Sequence, residues 1–323
     1  MLKNKLKIGV LFGGKSAEHD VSISSSKNII DALDKNKYQI FVIKIEKNGE
    51  FDLNFVKKMD LIFPVLHGPY GEDGSMQGLL KILGIPFVGP SVLGSAVGMD
   101  KDVMKRLFRD AKIPIGKFIT VCAGEKISFE KVKKVLGLPM FIKPANMGSS
   151  VGINKVKNKK EFEIAVNDAF LYDSKIVIEE NINGQEVECS VLGNENPMAS
   201  IVGEIVPKND FYSYKAKYID GDGAVLLIPA RLSKTISKKV QNLAIKVFQT
   251  LNCEGMGRVD FFVKKNGEVI VNEINTIPGF TAISMYPKLW EASGIPLSKL
   301  LDRLIELAIE RFERESKLKT TVK

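Results

Sequence analysis

Four side chains near the C-terminus carry the strongest chemical signal. Arg258-Val259-Asp260-Phe261-Phe262-Val263 and Val269-Ile270-Val271-Asn272-Glu273-Ile274-Asn275 flank Asn266-Gly267. Asn-Gly between two β-rich runs predicts a hairpin over 258–275. With Asn266 and Gly267 as a two-residue loop, Asp260 stands opposite Glu273 and Arg258 opposite Asn275. Side chains alternate with period two, so the four share one face. Two carboxylates facing each other across a ladder repel, and a cation between them removes the penalty. Asp260, Glu273 and the Asn275 carbonyl are hard oxygen donors, the set that suits Mg²⁺. The alternative is a solvated strand face. Against it stand Val259, Phe261 and Ile274 on one face and Phe262 and Val271 on the other, which predict burial on both sides.

Further polar groups fall where a phosphorylated substrate could meet them. Gly148-Ser149-Ser150-Val151-Gly152 joins two predicted strands; its glycines let backbone N–H groups approach an anion, and Ser149 and Ser150 add donors. A plain hairpin turn is the competing reading. Lys143 ends an apolar strand and needs an anionic partner, and Lys101 follows Met99-Asp100 at a domain junction. His67 lies at the carboxyl end of a predicted strand, and Glu18 lies in the first strand–helix loop. Ligand sites in open α/β sheets form at such places. Glu18 could hold an ammonium group or simply cap a helix. Thr276-Ile277-Pro278-Gly279 follows the hairpin directly, so the Gly279 N–H beside Arg258 could stabilise an oxyanion. Gly9 to Ser16 spells a P-loop, G-x-x-x-x-G-K-S. Its intervening residues extend an apolar strand rather than a cradle, which argues against that motif.

The elements that must position these groups change character along the chain. Strands at 7–12, 38–45, 61–65 and 86–88 alternate with helices at 21–33 and 75–83, which predicts a parallel sheet. From 113 the pattern becomes α+β, with strands at 140–143, 152–156 and 175–180 and a helix at 160–171. Strands at 186–192 and 199–207, a helix at 237–251, the hairpin and a closing helix at 298–314 follow. The polar, aromatic stretch 208–223 has no clear period, as expected of a functional loop. The chain has 323 residues, net charge +9 and three scattered cysteines. Free thiols in a reducing cytosol are the expected state, and with no signal peptide a cytoplasmic protein is expected. No apolar run reaches bilayer length, so no membrane partner is expected. The lysines are dispersed without a nucleic-acid module, so no nucleic acid is expected; a phosphate-rich substrate equally suits the charge.

In order, Gly13-Gly14-Lys15-Ser16-Ala17-Glu18, His67-Gly68 with Gly71-Glu72-Asp73-Gly74, Met99-Asp100-Lys101, Lys143-Pro144 with the 148–152 loop, Tyr212 to Tyr218, Gly257-Arg258-Val259-Asp260, Glu273-Ile274-Asn275 and Pro278-Gly279-Phe280-Thr281 resemble the ATP-grasp superfamily, and closely its D-alanine–D-alanine ligases. The resemblance covers about Lys7 to Arg311. It implies an α/β (α+β), three-lobed ATP-grasp fold: an N-terminal parallel-sheet domain at 1–100, a central lobe at 101–183 and a C-terminal lobe at 184–323. It implies ligation of two D-alanines through an acyl phosphate, in peptidoglycan precursor synthesis, with ATP as co-substrate and Mg²⁺ or Mn²⁺ as metal, two ions being expected. A ligase with D-serine or D-lactate as second substrate is the alternative. The oligomeric state is open, a homodimer being one expectation.

By the same resemblance, Glu18 would take the first substrate's ammonium with His67 nearby, and Ser284 the second substrate's carboxylate. Arg258 and Gly279 would hold the oxyanion. Asp260, Glu273 and Asn275 would hold metal, and Lys101, Lys143, Ser149 and Ser150 the phosphates. Glu179 would meet the base and Glu186 the ribose. In a lid at 208–223, Lys217 would reach the transferred phosphate, and Tyr218 would close the site with Ser149 and Glu18. Asn181 departs from the pattern, since several family members carry a large aromatic residue there.

Overall fold

The computed structural model describes residues 5–207, 223–319 and 321. Strands β1 (Leu6–Gly13), β2 (Tyr38–Ile45) and β3 (Leu61–Val65) form a parallel sheet in the order β2-β1-β3. A parallel bridge from Ile62 to Phe87 continues it. β1 and β3 are buried almost throughout, as central strands covered on both faces must be. Helix α1 (His19–Ala32) follows β1; α2 (Leu53–Val56), α3 (Ser75–Ile82) and α4 (Val92–Met99) lead to α5 (Lys101–Asp110). Asp100 caps α5 by accepting from the Asp102 and Val103 amides, each at 3.0 Å, which fixes where that helix begins.

The middle of the chain makes a wholly antiparallel sheet. Strands β4 (Phe118–Cys122), β5 (Met140–Pro144), β6 (Asn154–Val156) and β7 (Lys175–Glu180) run in the order β4-β7-β5-β6. Helices α6 (Phe129–Leu136) and α7 (Lys159–Ala169) bury Phe129, Val132 and Phe162 against it. The third sheet, β10-β9-β8-β11-β12, consists of β8 (Gln185–Gly193), β9 (Met198–Pro207), β10 (Ala224–Leu227), β11 (Gly255–Val263) and β12 (Val269–Asn275). Helix α8 (Lys234–Thr250) packs Val240, Ala244, Val247 and Phe248 on it.

Two helices then return to the beginning of the fold. Tyr286 and Trp290 of α9 (Met285–Ala292), with Leu300, Leu301, Leu304 and Ile305 of α10 (Leu297–Ser316), share one core with Ile8, Val10 and Phe63. Periodicity alone left α2, α4, α6, α9, β4 and β10 undetected; each is short and carries few turns or alternations.

The hairpin has the expected register but reaches it differently. Lys264 and Glu268 close the turn, with the Lys264 amide 2.9 Å from the Glu268 carbonyl. The loop therefore holds three residues, 265–267, with Gly267 at φ +80°, a conformation that suits glycine. Phe261 then pairs with Val271, and a bulge at Asn272 restores the pairing of Asp260 with Glu273 and Arg258 with Asn275. The expected two-residue loop is thus wrong by one residue, and the bulge cancels the error. It also corrects the assignment of Val271, which joins Val259, Phe261 and Ile274 in the core.

Candidate active site

The site is built where loops from all three sheets converge. Glu18 occupies the N-cap position of α1, yet its side chain makes no capping bond. It instead accepts a short hydrogen bond from the Ser149 hydroxyl. The capping alternative for Glu18 therefore fails, and its carboxylate is directed across the cleft. Ser149 and Ser150 sit at φ 49° and 62°, left-handed conformations that turn this loop tightly over the site. Gly148 is small because of Glu18: an added Cβ would lie 2.7 Å from Glu18 Oε2.

His67 is buried, and its Nδ1 lies 3.1 Å from the Ile277 carbonyl. Its Nε2 has no hydrogen-bond partner among the described residues. Burial pushes its pKa below the ordinary histidine value, against the opposing pull of Glu18. Glu72 ties the same two loops together. Its carboxylate accepts from the Gly68 amide at 2.7 Å and the Ile277 amide at 3.1 Å. Burial, aided by the Glu18 charge, raises the Glu72 carboxyl to about 8. The loop 276–281 is also pinned to α1, since Asn28 Nδ2 donates to the Phe280 carbonyl and the Phe280 amide donates to Ser25 Oγ. Gly279 thus faces the same chamber as Glu18, His67, Lys101, Ser149, Arg258, Glu273 and Asn275. Ser284 stands behind it: a Cβ on Gly279 would lie 2.8 Å from Ser284 Oγ, which accepts from the Thr281 amide at 3.0 Å.

A second chamber joins the first at Ser150, Ile153 and Glu273. It is lined by Lys143 and Glu179 from the central sheet, by Glu186, Phe262 and Asn272 from the third, and by Asn181. Lys143 Nζ lies 2.7 Å from Glu179 Oε2, and Lys105 Nζ lies 3.2 Å from Glu179 Oε1. Burial alone would raise the Glu179 carboxyl, but the two lysines override it and hold it at about 2. Burial also works against the Lys143 charge, and there Glu179 and Glu273 win, so its pKa rises. Lys105 is pushed down by burial and by its neighbour Lys143, despite Glu179. Lys101 donates to the Met147 carbonyl at 2.7 Å and lies 3.9 Å from Glu273.

On the hairpin, Arg258 donates to both oxygens of Asp260, each at 2.8 Å, and Asn275 Nδ2 donates to Asp260 Oδ2 at 3.0 Å. Among the described residues no group of three His, Cys, Asp or Glu side chains is arranged to hold a metal. Asp260 and Glu273 nonetheless bring two acids and Asn275 an amide oxygen to one face. The guanidinium on Asp260 is itself a cation at that carboxylate, so the donor set fits a hard divalent ion that displaces it.

The structure therefore gathers Glu18, His67, Lys101, Ser149, Ser150, Arg258, Asp260, Glu273, Asn275 and Gly279 at one chamber or its rim. It gathers Lys143, Glu179 and Glu186 at the next. Lys217 and Tyr218 lie outside the described residues. Sequence reading overlooks Lys105 and Glu188, and it assigns no role to Glu72, though that residue is part of the Gly71-Glu72-Asp73-Gly74 motif. Lys105 could have been found as the i+4 neighbour of Lys101. Glu188 lies two residues beyond Glu186, on the same strand face.

Three α/β lobes, two of them antiparallel sheets meeting over a cleft in which lysines and acids face one another, define a ligase of the ATP-grasp class. Residues 7–57 and 52–90 match the description "D-ala D-ala ligase N-terminus", and 107–306 match "D-ala D-ala ligase C-terminus". The chain belongs to the D-alanine–D-alanine ligase family. A D-alanine–D-alanine ligase of Oceanobacillus iheyensis is 48% identical over 361 aligned residues, covering 98% of this chain and 99% of that protein. The D-alanine–D-alanine ligase of Coxiella burnetii superposes with a TM-score of 0.88 at 40% identity, covering 98% of this chain and 97% of the other. That of Bacillus anthracis, complexed with ATP, gives 0.83 at 34% identity, covering 96% and 99%.

Proposed function

We propose that this chain joins two D-alanine molecules into D-alanyl-D-alanine while ATP becomes ADP and phosphate, supplying peptidoglycan precursor synthesis. The observation that carries the reading is the pairing of Glu18 with Ser149 in the chamber that also holds Arg258 and Gly279 and opens onto Lys143. An α-amino acid held by its ammonium at Glu18 would point its carboxylate toward the phosphate end. A carboxylate oxygen attacks the γ-phosphorus, and ADP leaves. The neutral amine nitrogen of the second D-alanine then attacks the acyl carbon, and phosphate leaves with the electron pair of the broken C–O bond. The nitrogen gives up one proton to solvent or to the departing phosphate.

Phosphoryl transfer needs positioning and charge neutralisation more than covalent help. Lys101, Lys143, Ser149 and Ser150 neutralise and orient phosphate oxygens. Glu186 is proposed at the ribose. Glu179, proposed at the base, also fixes Lys143 through their ion pair. Arg258 and the Gly279 N–H receive the tetrahedral oxyanion, His67 sits beside the first substrate, and Ser284 is proposed for the second carboxylate. Asp260, Glu273 and Asn275 would hold Mg²⁺ or Mn²⁺, two ions being proposed, whose charge would offset that of the phosphates. Roles for Lys217 and Tyr218 in a lid over 208–223 rest on the family resemblance, as do the lobe limits 1–100, 101–183 and 184–323. The need for ATP supports a cytoplasmic location; no helix among the described residues is long and apolar enough to cross a membrane.

The test is ADP release with ATP and D-alanine, D-serine, D-lactate or L-alanine. D-alanine alone should support full turnover with dipeptide as product. Turnover that requires D-serine or D-lactate alongside D-alanine would replace the second substrate, and no release with any of them would remove the ligase reading.

A further inference from the structure

Glu188 has no part in the roles above. It stands on β8 directly opposite Asp260, which stands opposite Glu273. Three carboxylates therefore run in one row across β8, β11 and β12. Like charges directly opposite each other destabilise a sheet. Glu188 is only 6% exposed, a setting in which an ionised carboxylate needs a close cation. Among the described residues, Arg258 is such a cation. Its Nε lies 2.8 Å from Glu188 Oε2 and 2.8 Å from Asp260 Oδ1. Nε carries a single N–H, and that bond is directed to Asp260, while Nη2 serves the second Asp260 oxygen. The guanidinium stands between two acids of the row and gives its better geometry to one of them.

This arrangement works against Asp260 as a metal ligand, because the Arg258 guanidinium is bound to both of its oxygens and its charge repels a second cation there. Resting on that reading of the hairpin, we propose that Glu188 is a positioning residue that receives the Arg258 guanidinium when a divalent cation claims Asp260. The transfer changes hydrogen bonds only and breaks no covalent bond. Glu188 is already at contact distance, so the exchange needs a small side-chain rotation and no strand movement. Without Glu188, the arginine would lose a charge-assisted partner on leaving Asp260. It would then compete with the metal for Asp260. With Glu188 in place, Arg258 stays at the oxyanion end of the chamber while Asp260 turns to the cation.

Direct Mn²⁺ titration in the presence of ADP, followed by the paramagnetic signal of free Mn²⁺, tests this on the full chain. Four proteins are compared: wild type, Glu188→Gln, Arg258→Met and the double variant. Glu188→Gln should weaken Mn²⁺ binding about tenfold, the order expected for one charge-assisted hydrogen bond. In the Arg258→Met background the same substitution should change affinity less than about twofold, since no guanidinium remains to be transferred. Wild-type affinity in Glu188→Gln would overturn the proposal. So would an equal loss in both backgrounds, which would mark a plain effect of negative charge. If Glu188→Gln does not fold, as judged by circular dichroism and thermal melting, Glu188→Asp replaces it. That variant keeps the charge but shortens the reach, and should weaken binding only where Arg258 is present. Failure of the wild type itself to bind Mn²⁺ with ADP would remove the metal reading of the hairpin and the proposal with it.

Discussion

Lys105 Nζ lies 3.3 Å from the carbonyl oxygen of Asn272, the residue that the β12 bulge leaves outside the ladder. The same ammonium meets Glu179, so one buried lysine links the β11–β12 hairpin to the second chamber. Lys105→Met should remove the Asn272 and Glu179 contacts while leaving Glu179 paired with Lys143, and lower stability by about 1 kcal/mol, the order of one lost hydrogen bond. Urea unfolding at neutral pH measures the loss, and KM for ATP should rise with it. An unchanged urea midpoint would show that Lys105 contributes no such link.

Ser149→Ala removes the hydroxyl that donates to Glu18 while leaving the backbone loop in place. Loss of one hydrogen bond to a charged group predicts a fall of about 10- to 100-fold in kcat/KM for the first D-alanine. Glu18→Gln should be at least as damaging, because it also removes the charge that would face the substrate ammonium. Steady-state kinetics with D-alanine varied at saturating ATP, and with ATP varied at saturating D-alanine, separate the effects. A loss confined to KM for ATP would contradict the assignment.

Chelation of divalent metal should stop ADP release, and added Mg²⁺ or Mn²⁺ should restore it. Asp260→Asn and Glu273→Gln should each weaken Mn²⁺ binding in the presence of ADP by at least about tenfold, as expected when a metal-site group is lost. Calorimetric titration provides the check. Full Mn²⁺ affinity in both variants would place the metal elsewhere.

Glu179 predicts an acid-sensitive component of stability. Its folded value of about 2 lies below the ordinary 4.5, so the folded state binds fewer protons than the unfolded state in between. The stabilisation is complete above pH 4.5 and is lost as pH falls from there toward 2. The interval corresponds to about 3 kcal/mol. Denaturant unfolding between pH 6 and pH 3 should show a steeper loss for wild type than for Glu179→Gln. Parallel curves would refute the ion-pair origin.

Much of this site was legible because its chemistry coincides with local rules. Period-two alternation put Arg258, Asp260, Glu273 and Asn275 on one face, and the convergence of polar loops at strand ends pointed to Glu18 and His67. The turn length and the Asn272 bulge were not legible, because the bulge depends on neighbours far away in sequence, Lys105 among them. Glu188 escaped notice for a related reason. Its significance comes from lying beside β11, a pairing across more than 60 residues that no local pattern announces. The use of Glu18 for Ser149 rather than for its own helix is likewise a tertiary outcome, since both uses suit the same sequence position.

Helix α10 lies against β1 and β3, more than two hundred residues upstream. During synthesis, the opening sheet must therefore leave the ribosome with an oily side uncovered and wait for α10 before that side is sealed. A fragment ending before residue 297 should be sticky and prone to chaperone capture, and supplying the missing helix as a separate peptide should rescue its solubility.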